Sequence, residues 1–188
     1  RAASLRRALG VDTIRLAADG YALENALVDA SEFEELLTAA RTALRAGDAR
    51  GAADTIADAL SLWRGPALLG LPQSTWATAE ARRLDALRLD ALEERFEAAL
   101  ALGEHTDLIS GIRAALDESP FRERLCGQLM LALYRSGRQA DALDVFQEAR
   151  RVLMDELALE PGPELRRLQE AILAHDPAIA PVPLAPRP

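Results

Sequence analysis

Two stretches of the sequence decide its fold: GEHTDLISGIRAA at residues 103–115 and GRQADALDVFQEA at residues 137–149. Their opening glycines recur at the tetratricopeptide period of about 34 residues, and similar residue types follow at the same offsets. The tetratricopeptide pattern has a glycine at the turn and a small or apolar residue five positions after it. A larger residue follows nine positions after the glycine, and an alanine twelve positions after it. The matched positions are Gly103 and Gly137, Leu108 and Ala142, Ile112 and Phe146, and Ala115 and Ala149. We therefore predict an all-α domain of tetratricopeptide-like helical hairpins.

A weaker third copy of the pattern follows Gly47, which lies farther from Gly103 than a single repeat period. Its offsets hold Ala52, Ile56 and Ala59. A loop at Trp63 and a long helix over about 75–102 interrupt the array. Apolar residues spread around more than one face of this helix, which is typical of a helix packed on two sides. Stacked hairpins expose an extended concave surface that suits protein ligands, so the repeat indicates a binding module.

Capping and turn residues predict where the helices begin and end. Asp29 and Glu32 form a possible capping box, and Ser74 precedes the long helix as a second cap. Ser119-Pro120 is predicted to open another helix, since proline is tolerated in a first turn. Helices are predicted from Asp29 to the stop at Gly47, through residues 52–63, over about 75–102 and 104–118, and from Ser119-Pro120 to the turn at 136–137. Two more are predicted through residues 142–153, ending before Glu160, and through residues 165–172. The closing PAIAPVPLAPRP, residues 177–188, is Pro-rich and is predicted to be an extended linker without packed structure.

Before the array, the sequence predicts a short helix and a β-hairpin. Residues 1–9 are helical in pattern and end at Gly10, a residue favoured just past a helix. Asp19-Gly20 is a strong two-residue turn signal. The resulting register pairs Ala18 with Tyr21, Leu16 with Leu23 and Ile14 with Asn25.

The charge of the chain is unevenly distributed. All 22 basic residues are arginine, and the formal net charge is −8. Residues 1–27 and 177–188 each carry +1, which leaves −10 on residues 28–176. Because nucleic-acid affinity needs basic groups that release counterions, any DNA contact is expected at the N-terminal end. The acidic body is expected to bind something else.

The sequence offers little chemistry for catalysis, cofactors or metals. His105 and His175 lack a cysteine or a second histidine at ligand spacing, and no glycine-rich phosphate loop is present. Cys126 is mid-helix, so it is expected to pack rather than react, as are Trp63 and Tyr134. Adjacent carboxylates at 34–35 and 93–94 do not face each other on a helix and are expected to be solvated. We predict a cytoplasmic, non-enzymatic protein with no cofactor, because one cysteine and no long apolar run give no sign of secretion or of a membrane span.

Several segments together resemble a known family of regulators. LRRALG at 5–10 and the hairpin ending in GYAL at 20–23 resemble the close of an OmpR-type winged-helix domain. The downstream segments resemble the bacterial transcriptional activation domain of the Streptomyces antibiotic regulatory protein family. They are ALSLWRGPAL at 59–68, LYRSGRQADAL at 133–143 and LEPGPELRRL at 159–168. The resemblance implies three parts: a winged-helix remnant (1–27), an activation domain (28–176) and a linker (177–188).

The resemblance implies a transcriptional activator whose helical domain dimerises or recruits RNA polymerase at promoters with tandem repeats. Arg6, Arg7 and Arg15 would be the DNA-backbone contacts, although Ser4 replaces a family arginine and these charges could equally be solvated ones. The Pro-rich tail resembles the bridge to a nucleotide-binding domain in larger members. Two alternatives stay open: a freestanding tetratricopeptide adaptor that never meets DNA, and a sensory domain with a small-molecule pocket.

Overall fold

A computed structural model describes residues 14–18, 20–23, 28–70 and 74–180 of the chain. Within these ranges the elements are a two-stranded antiparallel sheet, seven α-helices and a final 3-10 turn. The strands are β1 (Ile14–Ala17) and β2 (Gly20–Leu23). The helices are α1 (Asp29–Arg45), α2 (Ala49–Ser61), α3 (Thr75–Ala101), α4 (His105–Glu118), α5 (Glu123–Arg135), α6 (Gln139–Leu157) and α7 (Pro163–Leu173).

Three of the turns between helices use the glycines of the repeat. Gly47, Gly103 and Gly137 have φ angles of 82°, 84° and 77°, a left-handed conformation that suits glycine. They close the hairpins α1–α2, α3–α4 and α5–α6, and all nine residues at the three repeat offsets are buried. The small offset residues let paired helices approach closely. The predicted tetratricopeptide-like helical fold is confirmed.

Replacing Gly137 by alanine tests this turn. Open space surrounds the position that a Cβ would occupy, so the penalty is backbone strain alone, about 1 kcal/mol of unfolding free energy. Gly127, inside α5, is the matched control. Its added Cβ would make ordinary contacts at 3.6–3.7 Å, and we expect Gly127→Ala to stabilise the domain by about 0.5–1 kcal/mol. Urea unfolding of both variants measures the change in unfolding free energy. Equal changes in the two variants would contradict the backbone strain expected at Gly137→Ala.

The long helix α3 belongs to both hydrophobic clusters of the array. The smaller cluster joins Phe33 and Leu37 of α1 to Ala59 of α2 and Ala91 of α3. The larger cluster begins at Phe96 of α3 and continues through α4, α5, α6 and α7. The expectation that this helix is packed on two sides therefore holds.

Two predicted helix starts are wrong. Val28, not Asp29, is the N-cap of α1; Asp29 lies in the first turn, where its Oδ2 pairs with Arg64 at 2.9 Å. Helix α5 begins at Glu123 rather than at Ser119-Pro120. The segment before it stays non-helical while Ser119 closes α4 and the Arg122 side chain reaches Asp90 of α3. Tertiary contacts thus override the local start signals. The predicted cap at Ser74 is confirmed, as its hydroxyl accepts from the Ala77 N–H.

The β-hairpin forms with a turn one residue earlier than predicted. Ile14 pairs with Leu23, Leu16 with Tyr21 and Ala17 with Gly20, so the turn follows Ala17. The predicted register is wrong by two residues. A two-residue shift keeps each position on the same face of the sheet, so the alternation of apolar residues could not separate the two registers. The predicted helix over residues 1–9 and its end at Gly10 lie outside the described residues.

The C-terminal end of the described chain is packed for longer than predicted. Pro177–Ile179 form a 3-10 turn in which the Asp176 side chain accepts a hydrogen bond from the N–H of Ala178. Ile179 packs against the larger cluster, and its carbonyl accepts a hydrogen bond from Arg135 Nε at 3.0 Å. The start of the predicted linker is therefore fixed to the domain. Residues 181–188 lie outside the described part.

Candidate interaction surfaces

The first helices of the three hairpins, α1, α3 and α5, are neighbours and present a band of charged side chains. We call this band the arginine–carboxylate network. Its arginines come from α1, from α5 and from the N-cap of α5, and its carboxylates all come from α3. The members are Arg41, Asp90, Glu93, Glu94, Glu97, Arg122 and Arg124.

Glu94 and Asp90 connect all three helices. Arg41 Nε lies 3.3 Å from Glu94 Oε1, and Arg41 Nη2 lies 3.3 Å from Asp90 Oδ2. Arg124 donates to both oxygens of Glu94 at 3.1 and 3.2 Å and also binds Glu97. Arg122 donates to Asp90 at 2.9 Å. Since the arginine side chains are 35–40% exposed, their outer faces remain available to a partner.

The pKa values of the neighbouring carboxylates Glu93 and Glu94 are shifted in opposite directions. Burial raises the pKa of Glu93, whose closest arginine contacts are long, at 3.4 and 3.5 Å. Burial acts in the same sense on Glu94, but hydrogen bonds and charges from Arg124 and Arg41 outweigh it and hold the pKa of Glu94 below its ordinary value. Glu94 is therefore the carboxylate that holds the network together.

The sequence interpretation of residues 93–94 as solvated is wrong. Glu93 is 4% exposed and Glu94 is 8% exposed. The reason is the packing of α3 on two sides, which leaves its middle without a solvent face. The signal was present in the sequence, because a helix with apolar residues all round cannot solvate its central charges.

A second surface surrounds the loop between α2 and α3. Here a groove of about 540 Å³ is lined by Phe33, Trp63, Leu69 and Trp76. Trp63 packs edge-on against Phe33 at 5.6 Å between ring centroids, and Arg88 lies over Trp63 at 5.7 Å. Trp63 is thus a packing residue, as predicted. Trp76 and Leu69, in contrast, are 66% and 79% exposed and give this end of the array an apolar surface.

Of the three predicted DNA contacts, the described residues include Arg15 alone. Arg15 lies in β1, where it pairs with Ala22 through the backbone and its side chain is exposed. Arg6 and Arg7 lie outside the described residues. Their role remains a prediction.

Cys126 and His105 are in environments that favour their neutral forms. Cys126 is buried in the larger cluster, and burial raises its pKa to about 11. His105 opens α4, and burial together with the charge of Arg135 lowers its pKa. Among the described residues no group of three or more His, Cys, Asp or Glu could hold a metal ion. None of the described helices is both long and apolar enough to cross a membrane.

Comparison with known proteins places this architecture among transcriptional regulators. Regulatory protein AfsR of Streptomyces coelicolor is 42% identical over 182 residues, 95% of this chain but 18% of its own length. Regulatory protein DnrI of Streptomyces peucetius is 38% identical over 170 residues, 89% of this chain and 62% of its own. The chain therefore spans less than two thirds of either relative.

A solved structure has the same fold. Mycobacterium tuberculosis EmbR, in complex with a low affinity phosphopeptide, superimposes with a TM-score of 0.87 at 33% identity, covering 93% of this chain and 48% of EmbR. Residues 28–173 match the sequence profile of the bacterial transcriptional activator domain. The resemblance to the Streptomyces antibiotic regulatory proteins is confirmed. The chain belongs to the bacterial transcriptional activator domain family.

Proposed function

We propose that residues 28–176 are the effector arm of a DNA-binding transcriptional activator, which dimerises or recruits RNA polymerase at promoters with tandem repeats. Residues 1–27 would close a winged-helix domain, and residues 181–188 would belong to a linker. The family match supports the regulatory role, since the relatives are transcriptional regulators.

The observation that carries this proposal is the acidic net charge of the helical array. The helical array bears −10 of the total charge, and its arginines are largely committed to carboxylates of the same domain. An acidic array repels phosphates, so DNA would be bound by another part of the protein. Its half-exposed network and apolar groove suit a protein partner, because interfaces combine apolar anchors with polar, partly paired groups.

DNA contact by residues 1–188 alone should be weak and independent of sequence. At most Arg6, Arg7 and Arg15 are proposed to meet phosphates. Each neutralised phosphate contributes about 0.9 to the slope of log K against log salt, so three give a slope of about −3 at most. A protein with a complete winged-helix domain before Val28 should bind tandem sites tightly and with a steeper slope.

The test is transcription by purified polymerase from a promoter with tandem sites. We expect the protein with its complete winged helix to activate, and deletion of residues 28–176 to leave DNA binding in gel-shift experiments while transcription falls to the basal level. The control keeps residues 28–180 and removes only residues 181–188, and it should still activate. Full activation by the winged helix alone would contradict the proposal and assign the array a sensory or regulatory role.

A further inference from the structure

A third surface is a groove along α5, between α5, the C-terminal half of α3 and α7. We call it the α5 groove; it has a volume of about 610 Å³. Gly127 lies in its middle and contributes no side chain. The apolar residues of the lining are Leu100, Ala101, Leu131, Leu165 and Leu168. They give the α5 groove an apolar floor between two charged ends.

The end of the α5 groove at the start of α5 is acidic. Gly162 donates its backbone N–H to Glu123 Oε2 at 2.6 Å, which brings the start of α7 to the start of α5. Glu164 follows in the first turn of α7, lines the groove and has a 93% exposed side chain. It pairs with Arg167 of its own helix at 3.7 Å, and an exposed pair of this kind contributes little. Arg124, which also lines this end, is already bound to carboxylates of α3.

The other end of the α5 groove carries a cation without a carboxylate partner. Arg135 donates from Nη1 to the carbonyl of Leu100 at 3.1 Å and from Nε to the carbonyl of Ile179 at 3.0 Å. In the described part of the chain it forms no ion pair, and its Nη2 donates to no acceptor. Burial lowers the pKa of Arg135, as expected of a cation whose desolvation no anion offsets. An acidic group of a ligand would supply the missing partner.

The middle of the α5 groove contains a buried amide with an unpaired acceptor. Gln128 lines the groove, is 7% exposed and donates from Nε2 to the backbone carbonyl of Glu93 at 2.8 Å. Because a carbonyl oxygen only accepts, this bond fixes the orientation of the amide. The other amide atom, Oε1, has no hydrogen-bond partner among the described residues, and an unpaired buried acceptor is unfavourable. The backbone N–H of a ligand would satisfy it.

The distance between the charged ends selects the length of the ligand. Glu123 and Arg135 are separated by about 18 Å along α5, at about 1.5 Å per helical residue. An extended chain rises about 3.3 Å per residue, so two of its residues six positions apart are about 20 Å apart. Positions 1, 3, 5 and 7 of such a chain share one face. The charges of the ligand are therefore expected at positions 1 and 7, and its apolar residues at positions 3 and 5.

We propose that the α5 groove binds an extended segment of a partner protein with a basic residue at position 1, apolar residues at positions 3 and 5 and an acidic residue at position 7. The basic side chain lies at Glu164, the apolar pair lies over Gly127 and Leu131, and the acidic side chain lies at Arg135. The two opposite charges fix the direction of the segment, and the apolar floor supplies burial. This inference rests on the proposed function in one respect, namely that the helical array binds a protein.

The test is a titration of the 188-residue chain with a capped heptapeptide, lysine-serine-leucine-threonine-leucine-serine-aspartate, followed by nitrogen-15 NMR. We expect saturable binding of one peptide per chain, with the largest shifts in the amide signals of Gly127, Gln128 and Leu131. The control peptide has the same composition, but its lysine and aspartate stand side by side, and it should bind at least tenfold more weakly. Absence of binding, equal affinity for the two peptides, or the largest shifts around Trp76 would overturn the proposal.

A charge swap at Glu164 tests the acidic end. Glu164→Arg should weaken binding of the lysine peptide about two- to fivefold, the range of an exposed ion pair. The same variant should strengthen binding of a peptide with glutamate in place of lysine by a similar factor. Glu170→Arg, at an exposed position of α7 outside the groove lining, is the matched control and should change neither affinity. Equal effects of the two variants would contradict the placement of the basic residue.

The basic end is tested on the peptide, because Arg135 also holds the 3-10 turn. Replacing the aspartate of the peptide by asparagine should weaken binding about fivefold or more, since Arg135 is half-buried and its charge is screened less than an exposed one. An unchanged affinity would contradict the placement of the acidic residue. These titrations contain no DNA and no polymerase, so their failure would overturn the peptide site and leave the transcription test of the effector arm unaffected.

Discussion

Ala142→Arg should lower the unfolding free energy of the domain by about 3 kcal/mol or more, because each of its two possible effects, overpacking or an unpaired buried charge, costs kilocalories where the structure relaxes little. Ala142 is 0% exposed in α6 and faces the larger hydrophobic cluster. A long side chain at this close-contact position must either overpack the α5–α6 hairpin or bury its charge there. Since whole domains are stable by only about 5–15 kcal/mol, a large drop in melting temperature is expected.

Gln147→Arg is the matched control for this variant. It adds the same charge to the same helix at an exposed position, and we expect a change within about 0.5 kcal/mol. Thermal unfolding followed by circular dichroism compares the two. If Ala142→Arg melted like its control, the close approach of α5 and α6 would not depend on the small residue of the repeat.

Glu94→Gln and Glu93→Gln should shift stability in opposite directions at neutral pH. Glu94 accepts from Arg41 and Arg124, so the amide loses charge-assisted hydrogen bonds, about 2 kcal/mol after allowance for the exposure of the arginines. Glu93 is buried beside Asp90 and Glu94, and its arginine contacts are long. Neutralising it relieves that repulsion and the cost of burying a charge, and we expect a gain of up to about 1 kcal/mol. Urea unfolding measures both; a loss of similar size in each variant would contradict the separate roles.

The pH dependence of the two variants provides a second check. The folded pKa of Glu94 is lowered, so its contribution is present above the unfolded pKa and is lost as the pH falls through the folded value. The folded pKa of Glu93 is raised, so its contribution is present below the unfolded pKa and is lost as the pH rises through the folded value. The deficit of Glu94→Gln should therefore shrink in acid, and the advantage of Glu93→Gln should also shrink there.

The helical hairpins could be predicted because their signal is local. A glycine with positive φ and small residues at fixed offsets are each required by the geometry of a single hairpin, as at Gly137 and Ala142. The position of the repeat in the sequence therefore predicts both the turn of each hairpin and the residues through which its two helices are in contact. The family resemblance depends on the same segments.

The interaction surfaces could not be predicted in the same way, because they are made between helices that are distant in sequence. Arg41 and Glu94 are 53 residues apart, and Arg124 is 30 residues from Glu94. No spacing rule within one helix joins them. The apolar residues all round α3 indicated that its central carboxylates are buried, but they did not indicate which arginines the carboxylates meet. The hairpin turn was misplaced for a different reason: a shift of two residues preserves the alternation on which the register was chosen.

Helix α3 also determines how the array responds to force. Its 27 residues form a rod of about 40 Å, buried at Leu84 and Ala91 in its first two thirds and at Phe96 and Leu100 near its end. A rod shared by both hydrophobic clusters leaves no hinge at which one half could bend while the other stays still. We expect a force applied near Trp76 to rotate α3 as a rigid rod and to displace its C-terminal end at Leu100, whose carbonyl accepts a hydrogen bond from Arg135. We therefore expect the two halves of the domain to move together rather than as independent repeats.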